Sequence, residues 1–362
     1  MEPRAYEFAR RVSDYSGLGV PSALPPLEAV DRATWIAANL RTMRPLLGGL
    51  SERIGEGTGP LAGPLRMASG FLLGAQVGAL TGVLSQRVLG QYDLALLDDE
   101  VTPRLLLLAP NLAIAARNLS VNRDELVLWV TIHEITHAVQ FTGAPWLRAH
   151  LGGMLKELID GLQVSIAGVG DKDGRGDKDA DGGKDGDSNG RAKDDGTPAW
   201  RRMPKLPDPG ELREMAERAR RGELLRLTLG EDRWALVERM QAVMSLIEGH
   251  AEHTMDAVGA EVLPSLPALR RAMNRRRESR GLPWRVLEKL LGLEMKLRQY
   301  EVGRRFCDAV VAQGGPQALA RVWSGPEQLP SSQELNEPAL WLARTDVRTF
   351  PQGRTHVPPV TS

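Results

Sequence analysis

His133-Glu134-Ile135-Thr136-His137 is the stretch that decides how this chain is read. On a helix, residues four apart lie one above the other, so the two imidazoles face the same way and can both donate nitrogen to one zinc ion. Glu134 stands about 100° round the helix from His133. Its carboxylate there misses the metal yet reaches a metal-bound water. It can take a proton as that water attacks a carbonyl and deliver it to the leaving amine. Only six of the 362 residues are histidine. Chance spacing of this kind is therefore rare, and a metal-bearing helix is the expectation.

The flanks supply that helix. Asn122 can cap it, with Glu125 three residues later as the capping-box carboxylate. An apolar periodic run follows through Leu126, Val127, Trp129, Val130, Ile132, Ile135, Ala138 and Val139, and Gly143 and Pro145 stop it. A helix so rich in β-branched residues needs tertiary burial to persist, which suits a central element carrying a rigid site.

A catalytic zinc takes three protein ligands and keeps one position open. The third is expected from Glu248-Gly-His-Ala-Glu252-His253-Thr-Met-Asp256, near the end of the apolar run that starts at Trp234. Glu248 is the first choice, with Glu252 and then His253 as substitutes. Gly249 removes a side chain where this helix can approach the metal helix closely. His250 and His253 can instead support a ligand or face substrate, and Asp256 can orient a ligand histidine. Plain surface hydrogen bonding is the competing account of all three.

With their flanks, these segments resemble a known group. A Glu-Gly-x-Ala pattern after a His-Glu-x-x-His helix is similar to zincin metallopeptidases whose third ligand is glutamate. His133-Glu-Ile-Thr-His137-Ala-Val-Gln-Phe141, Met244-Ser-Leu-Ile-Glu248-Gly-His-Ala-Glu-His253 and Glu288-Lys-Leu-Leu-Gly-Leu-Glu-Met-Lys-Leu-Arg-Gln-Tyr300 together resemble an actinobacterial zinc-dependent metalloprotease family. That family is often labelled as associated with deazaflavin-coenzyme biosynthesis and has no well-defined substrate. The resemblance runs from about residue 5 to 345 apart from one insertion. It implies a zincin-like core with additional helices and a hydrolase; the metal-site chemistry makes a peptide or small amide the expected substrate.

Composition permits this and narrows the alternatives. Forty-six basic and forty-six acidic residues give no support to a nucleic-acid partner. The single Cys307 excludes an intrachain disulfide and reads as a buried thiol in an apolar helix. The start, Met-Glu-Pro-Arg, shows no basic head followed by an apolar segment, so a cytoplasmic location is expected. Residues 67–84 carry no formal charge, with Gly70, Gly74, Gly78 and Gly82 on one face. That spacing is familiar in membranes. Its modest hydrophobicity and polar interruptions favour a buried helix packed tightly on the core over a membrane anchor.

The fold class expected is mainly α with a small β element. Helices are expected at about 5–14, 29–46, 65–90, 123–142, 147–168, 209–227, 231–258, 283–311 and 315–324. The strand candidate is Arg104–Ala109, for which the resemblance makes the role of an edge strand beside the metal helix plausible. Residues 1–100 read as a helical region packed on a catalytic region at 101–345. Within the latter, the Asp/Gly/Lys-rich residues 171–196 read as a disordered insertion, and 346–362 as a tail. The arginines from Arg270 to Arg280 can steer an anionic substrate, although a solvated helix face is the simpler account. Tyr300 can stabilise an oxyanion and Arg298 a substrate carboxylate, while Lys296, Arg298 and Tyr300 can equally make structural hydrogen bonds. Peptide-bond hydrolysis leads. Hydrolysis of a non-peptide amide and a noncatalytic zinc-stabilised scaffold remain open, and Glu134 favours catalysis because a structural metal needs no general base.

Overall fold

The computed structural model describes residues 2–53, 74–75, 77–98, 100–170, 230–278 and 294–345, with only the helical backbone at 2–3, 44–53, 161–170, 277–278 and 294–300. The insertion read at 171–196, the helix at 209–227, the start of the helix at 283 and the tail at 346–362 lie outside the described residues.

A short sheet anchors the helices. Four consecutive leucines, Leu105–Leu108, form most of β3 (Arg104–Leu108), which lies between β1 (Leu27–Val30) and β2 (Gly90–Asp93). β1 pairs with β3 in parallel and β2 pairs with it antiparallel. Successive strand residues point to opposite faces, so an unbroken apolar run implies burial on both. Leu105 and Leu107 enter the main helical core, while Leu106 and Leu108 pack with Val30, Trp35 and Ala38 in a second, smaller one. Arg104 closes the strand start by a bidentate pair with Glu28, at 2.8 and 2.7 Å.

The sheet corrects two expectations. Residues 104–108 form the central strand, and the edge beside the metal helix belongs to β2, of which only Gly90 fell within a segment read as helix from sequence. The helix expected from residue 29 starts at Arg32 instead, because Leu27–Val30 is drawn into the sheet as β1. The sheet also joins chain from either side of residue 100.

The helices are α1 (Glu2–Ser16), α2 (Arg32–Arg53), α3 (Ala109–Leu119), α4 (Arg123–Gly143), α5 (Trp146–Gly170), α6 (Glu231–Val262), α7 (Leu266–Glu278), α8 (Glu294–Ala320), α9 (Ser332–Asn336) and α10 (Pro338–Arg344). α3 was not expected: Pro110 sits in its first turn, where a missing N–H costs nothing, so it starts the helix as well as ending the strand. α8 contains a kink at Gly315, whose φ of 74° needs no Cβ. Residues 77–84 are helical but mostly half-exposed, and no described residue lies within 4 Å of a Cβ placed on Gly74, Gly78 or Gly82. The tight glycine-face packing is therefore not found among the described residues. None of their helices is long and apolar enough to cross a membrane.

α4 and α6 run through the core and α8 packs along α6. A Cβ on Gly249 of α6 would stand 2.6 Å from Gly303 Cα of α8, and one on Gly303 would strike the Ser245 carbonyl. The close approach anticipated at Gly249 is real, but its partner is α8 and not the metal helix. Both obstructions are backbone and cannot rotate away. Gly249→Ala is expected to lower stability by about 1–3 kcal/mol through overpacking, measured as a reduced denaturant midpoint at unchanged m-value.

Candidate metal centre

α4 begins as its sequence dictates. The Asn122 side chain accepts the Glu125 N–H at 3.0 Å. The Glu125 carboxylate does not complete a capping box: it accepts the N–H and hydroxyl of Ser265, binding the head of α4 to the loop before α7. Three turns on, His133 and His137 project together from α4, and Glu248 meets them from α6.

Their donor atoms form a small triangle. Nε2 of His133 and Nε2 of His137 lie 3.2 Å apart, and each is 3.6 Å from Glu248 Oε2. Tetrahedral zinc with bonds of about 2.0–2.1 Å holds its donors about 3.3–3.4 Å from one another. The triangle has that size, and His133, His137 and Glu248 are the described residues grouped so as to hold a metal ion.

Hydrogen bonds prepare one corner. Gln140, wholly buried, donates through Nε2 to the Ile247 carbonyl at 2.9 Å and to His250 Nδ1 at 2.9 Å. A carbonyl can only accept, so the amide nitrogen must face it, and Oε1 must face His137 Nδ1, 2.8 Å away. His137 Nδ1 therefore carries a proton that it donates to Oε1. In the neutral ring this leaves the Nε2 lone pair aimed into the triangle. The same amide makes His250 an acceptor at Nδ1, and burial, with His253 and His137 nearby, pushes His250 down to about 3.

The charges are strongly coupled. Burial would lower His137, but the Glu248 carboxylate outweighs it and holds the imidazole up at about 9. Burial works to raise Glu248, and the two imidazoles instead hold it well below the usual carboxylate range. Glu134 is buried and raised, burial outweighing both imidazoles and a hydrogen bond from the Tyr92 backbone. All four side chains line one cleft of about 820 Å³, whose other walls include Tyr92, Phe141, Met244, Met255 and Met273. Burial also pushes the Tyr92 phenol up to about 12, so it stays a neutral hydroxyl.

The other residues singled out in the sequence stand outside the triangle. Glu252 lines the cleft one turn beyond Glu248, 3.5 Å from Arg270 Nη1. Asp256 pairs with Arg270 and lies 3.4 Å from Arg304. Arg270, read as solvated, is thus a largely buried counter-ion. His253 Nδ1 donates to Asp308 at 2.6 Å, and its Nε2 accepts the Tyr15 hydroxyl at 2.8 Å, linking α6 to α8 and α1. The backbone of Lys296, Arg298 and Tyr300 lies in α8, and their side chains are not described.

Gln140 and Tyr92 escaped the sequence reading. Gln140 stands three residues after His137 on one helix, a spacing that placed it within reach. Nothing in Gly90-Gln-Tyr-Asp93 marks a site. Gln140→Leu, close in size, removes the acceptor for His137 Nδ1 and leaves the Ile247 carbonyl unpaired. Zinc affinity is expected to fall about 10–100-fold, read by competition with a chromophoric chelator.

Comparison with known proteins agrees with this geometry. A family model described as zincin-like metallopeptidase matches residues 4–342. A crystal structure from Chloroflexus aurantiacus, described as a candidate hydrolase with a novel fold, is similar over 96% of this chain and 89% of its own, at 29% identity and a TM-score of 0.59. A search of curated proteins finds no match. With the family model covering nearly all of its length, the chain belongs to the zincin-like metallopeptidase family.

Proposed function

We propose that this protein is a zinc-dependent hydrolase of peptide bonds, with His133, His137 and Glu248 as metal ligands and Glu134 as general base. The observation that carries the proposal is the buried Glu134 carboxylate, which lines the same cleft as the ligand triangle and is acted on by both of its imidazoles without belonging to it. A structural zinc closes its fourth position with protein and has no use for such a group; an open cleft has both the space and the base. Zinc held in this triangle would lower the pKa of a water and polarise a substrate carbonyl.

The chain supplies the proton traffic and the surroundings. Glu134 accepts a proton from the attacking water at a carboxylate oxygen and returns it to the leaving nitrogen. Its burial makes it a stronger base than a carboxylate in water. The apolar side chains of Phe141, Met244, Met255 and Met273 on the cleft wall suit an apolar substrate segment. For the oxyanion we retain Tyr300 as candidate donor, tested by a Tyr300→Phe loss in kcat at constant KM. The peptide preference rests on family membership. The narrower resemblance to the deazaflavin-associated group supplies no substrate, and the proposal stands without it.

The test compares zinc-loaded wild type and Glu134→Gln on a peptide library. Glu134→Gln is expected to keep the metal and lose about 10²–10⁴-fold in kcat. Undiminished cleavage would remove Glu134 as the base. Stoichiometric metal with no turnover of any peptide or other amide would assign the chain a noncatalytic role.

A further inference from the structure

Strand β2 meets the metal helix at a glycine. In the antiparallel ladder Leu108 N–H donates to the Leu89 carbonyl at 2.9 Å, which gives residues 89, 91 and 93 to β3 and turns the backbone groups of Gly90 and Tyr92 outward. The Tyr92 backbone hydrogen bond to Glu134 follows from that phase. Beside it, a Cβ on Gly90 would stand 2.7 Å from Glu134 Oε1, 2.9 Å from Glu134 Cγ and 2.6 Å from Val130 Cγ1. Real Cβ atoms essentially never come so near.

The strand is held on its other sides. Gln91 Oε1 accepts from Trp35 Nε1 at 2.7 Å, and Gln91 Nε2 donates to Asp93 at 3.1 Å and to Asn39 at 3.3 Å. α2 and β3 thus pin the strand that faces α4. Any side chain at residue 90 must displace Glu134 or Val130, because the backbone behind it is committed.

We propose that Gly90 is a positioning residue for Glu134, its bare α-carbon and the outward Tyr92 N–H forming a seat that fixes the carboxylate beside the ligand triangle. A glutamate has three rotatable bonds and its base function needs one direction. The seat removes that freedom without touching a metal ligand. Its effect on turnover rests on the peptidase reading; the seat itself does not.

Gly90→Ala in the full chain, loaded with Co²⁺ in place of zinc, separates the two. Cobalt is expected to bind at wild-type stoichiometry with an unchanged visible spectrum. A crystal structure is expected to show the Glu134 carboxylate moved off the Tyr92 N–H, and kcat to fall about 100-fold at unchanged KM. Adding Val130→Ala gives the new methyl room on one side only, so stability recovers while kcat stays low. Recovery of kcat in that double variant, or a Gly90→Ala structure with Glu134 unmoved, would reduce Gly90 to a packing glycine and overturn the proposal. If Gly90→Ala does not fold, the double variant is measured for metal, structure and kcat in its place. If wild type cleaves no peptide, the peptidase reading fails, and the position of Glu134 in the crystal alone decides the seat.

Discussion

The Gln140 amide carries a different obligation at each end, and the geometry of the metal centre follows from both. Its nitrogen must face the Ile247 carbonyl of α6, which ties α4 to the helix that carries Glu248. Its oxygen must then face His137, which sets the tautomer and the turn of that ring. Reversal would bring two acceptors together in a wholly buried place, where an unmet polar group costs about 1–3 kcal/mol. One side chain thereby couples the contact of α4 with α6 to the direction of a lone pair. His250, edge-on to Trp323 at 5.0 Å, shares the same amide and is locked as a neutral ring.

Charged side chains meet in two clusters in this region. Arg270 and Arg304 compensate Asp256, with Arg270 also near Glu252, which lines the cleft one turn beyond Glu248. In the cleft, Glu134 and Glu248 face two imidazoles. The pull of Glu248 on a proton at His137 is the same pull that a cation in the triangle would feel. Proton and metal are therefore alternatives at one place, and ligand basicity is part of what makes the triangle a cation site.

How much of this was legible depends on how local each signal was. The α4 helix, its cap at Asn122 and the projection of His133 and His137 follow from neighbours within two turns. Glu248 could be picked out because its histidine-rich surroundings stand apart in a histidine-poor chain. The edge strand could not. Four residues containing one glycine carry no period, and β2 exists because β3 offers it a ladder. Arg270 looked solvated because the carboxylate it neutralises lies on another helix. Gly249 announced a close approach but not its partner, since the matching Gly303 sits in α8, far along the sequence. Periodicity reports what a residue does within its own helix, and it is silent on which helix comes to meet it.

The order of the sheet has a consequence for how the molecule assembles. β1 and β2 both come before β3 in the chain, yet neither pairs with the other. As the chain is synthesised, both strands wait for a third that lies between them, so the sheet closes only when residues 104–108 arrive. The seat for Glu134 is built from β2, and the metal helix follows β3 by a short stretch of chain. The wall that faces Glu134 is therefore complete only once β3 has joined it, through a β2–β3 pairing that is local and a β1–β3 pairing that is distant in sequence and slower to find.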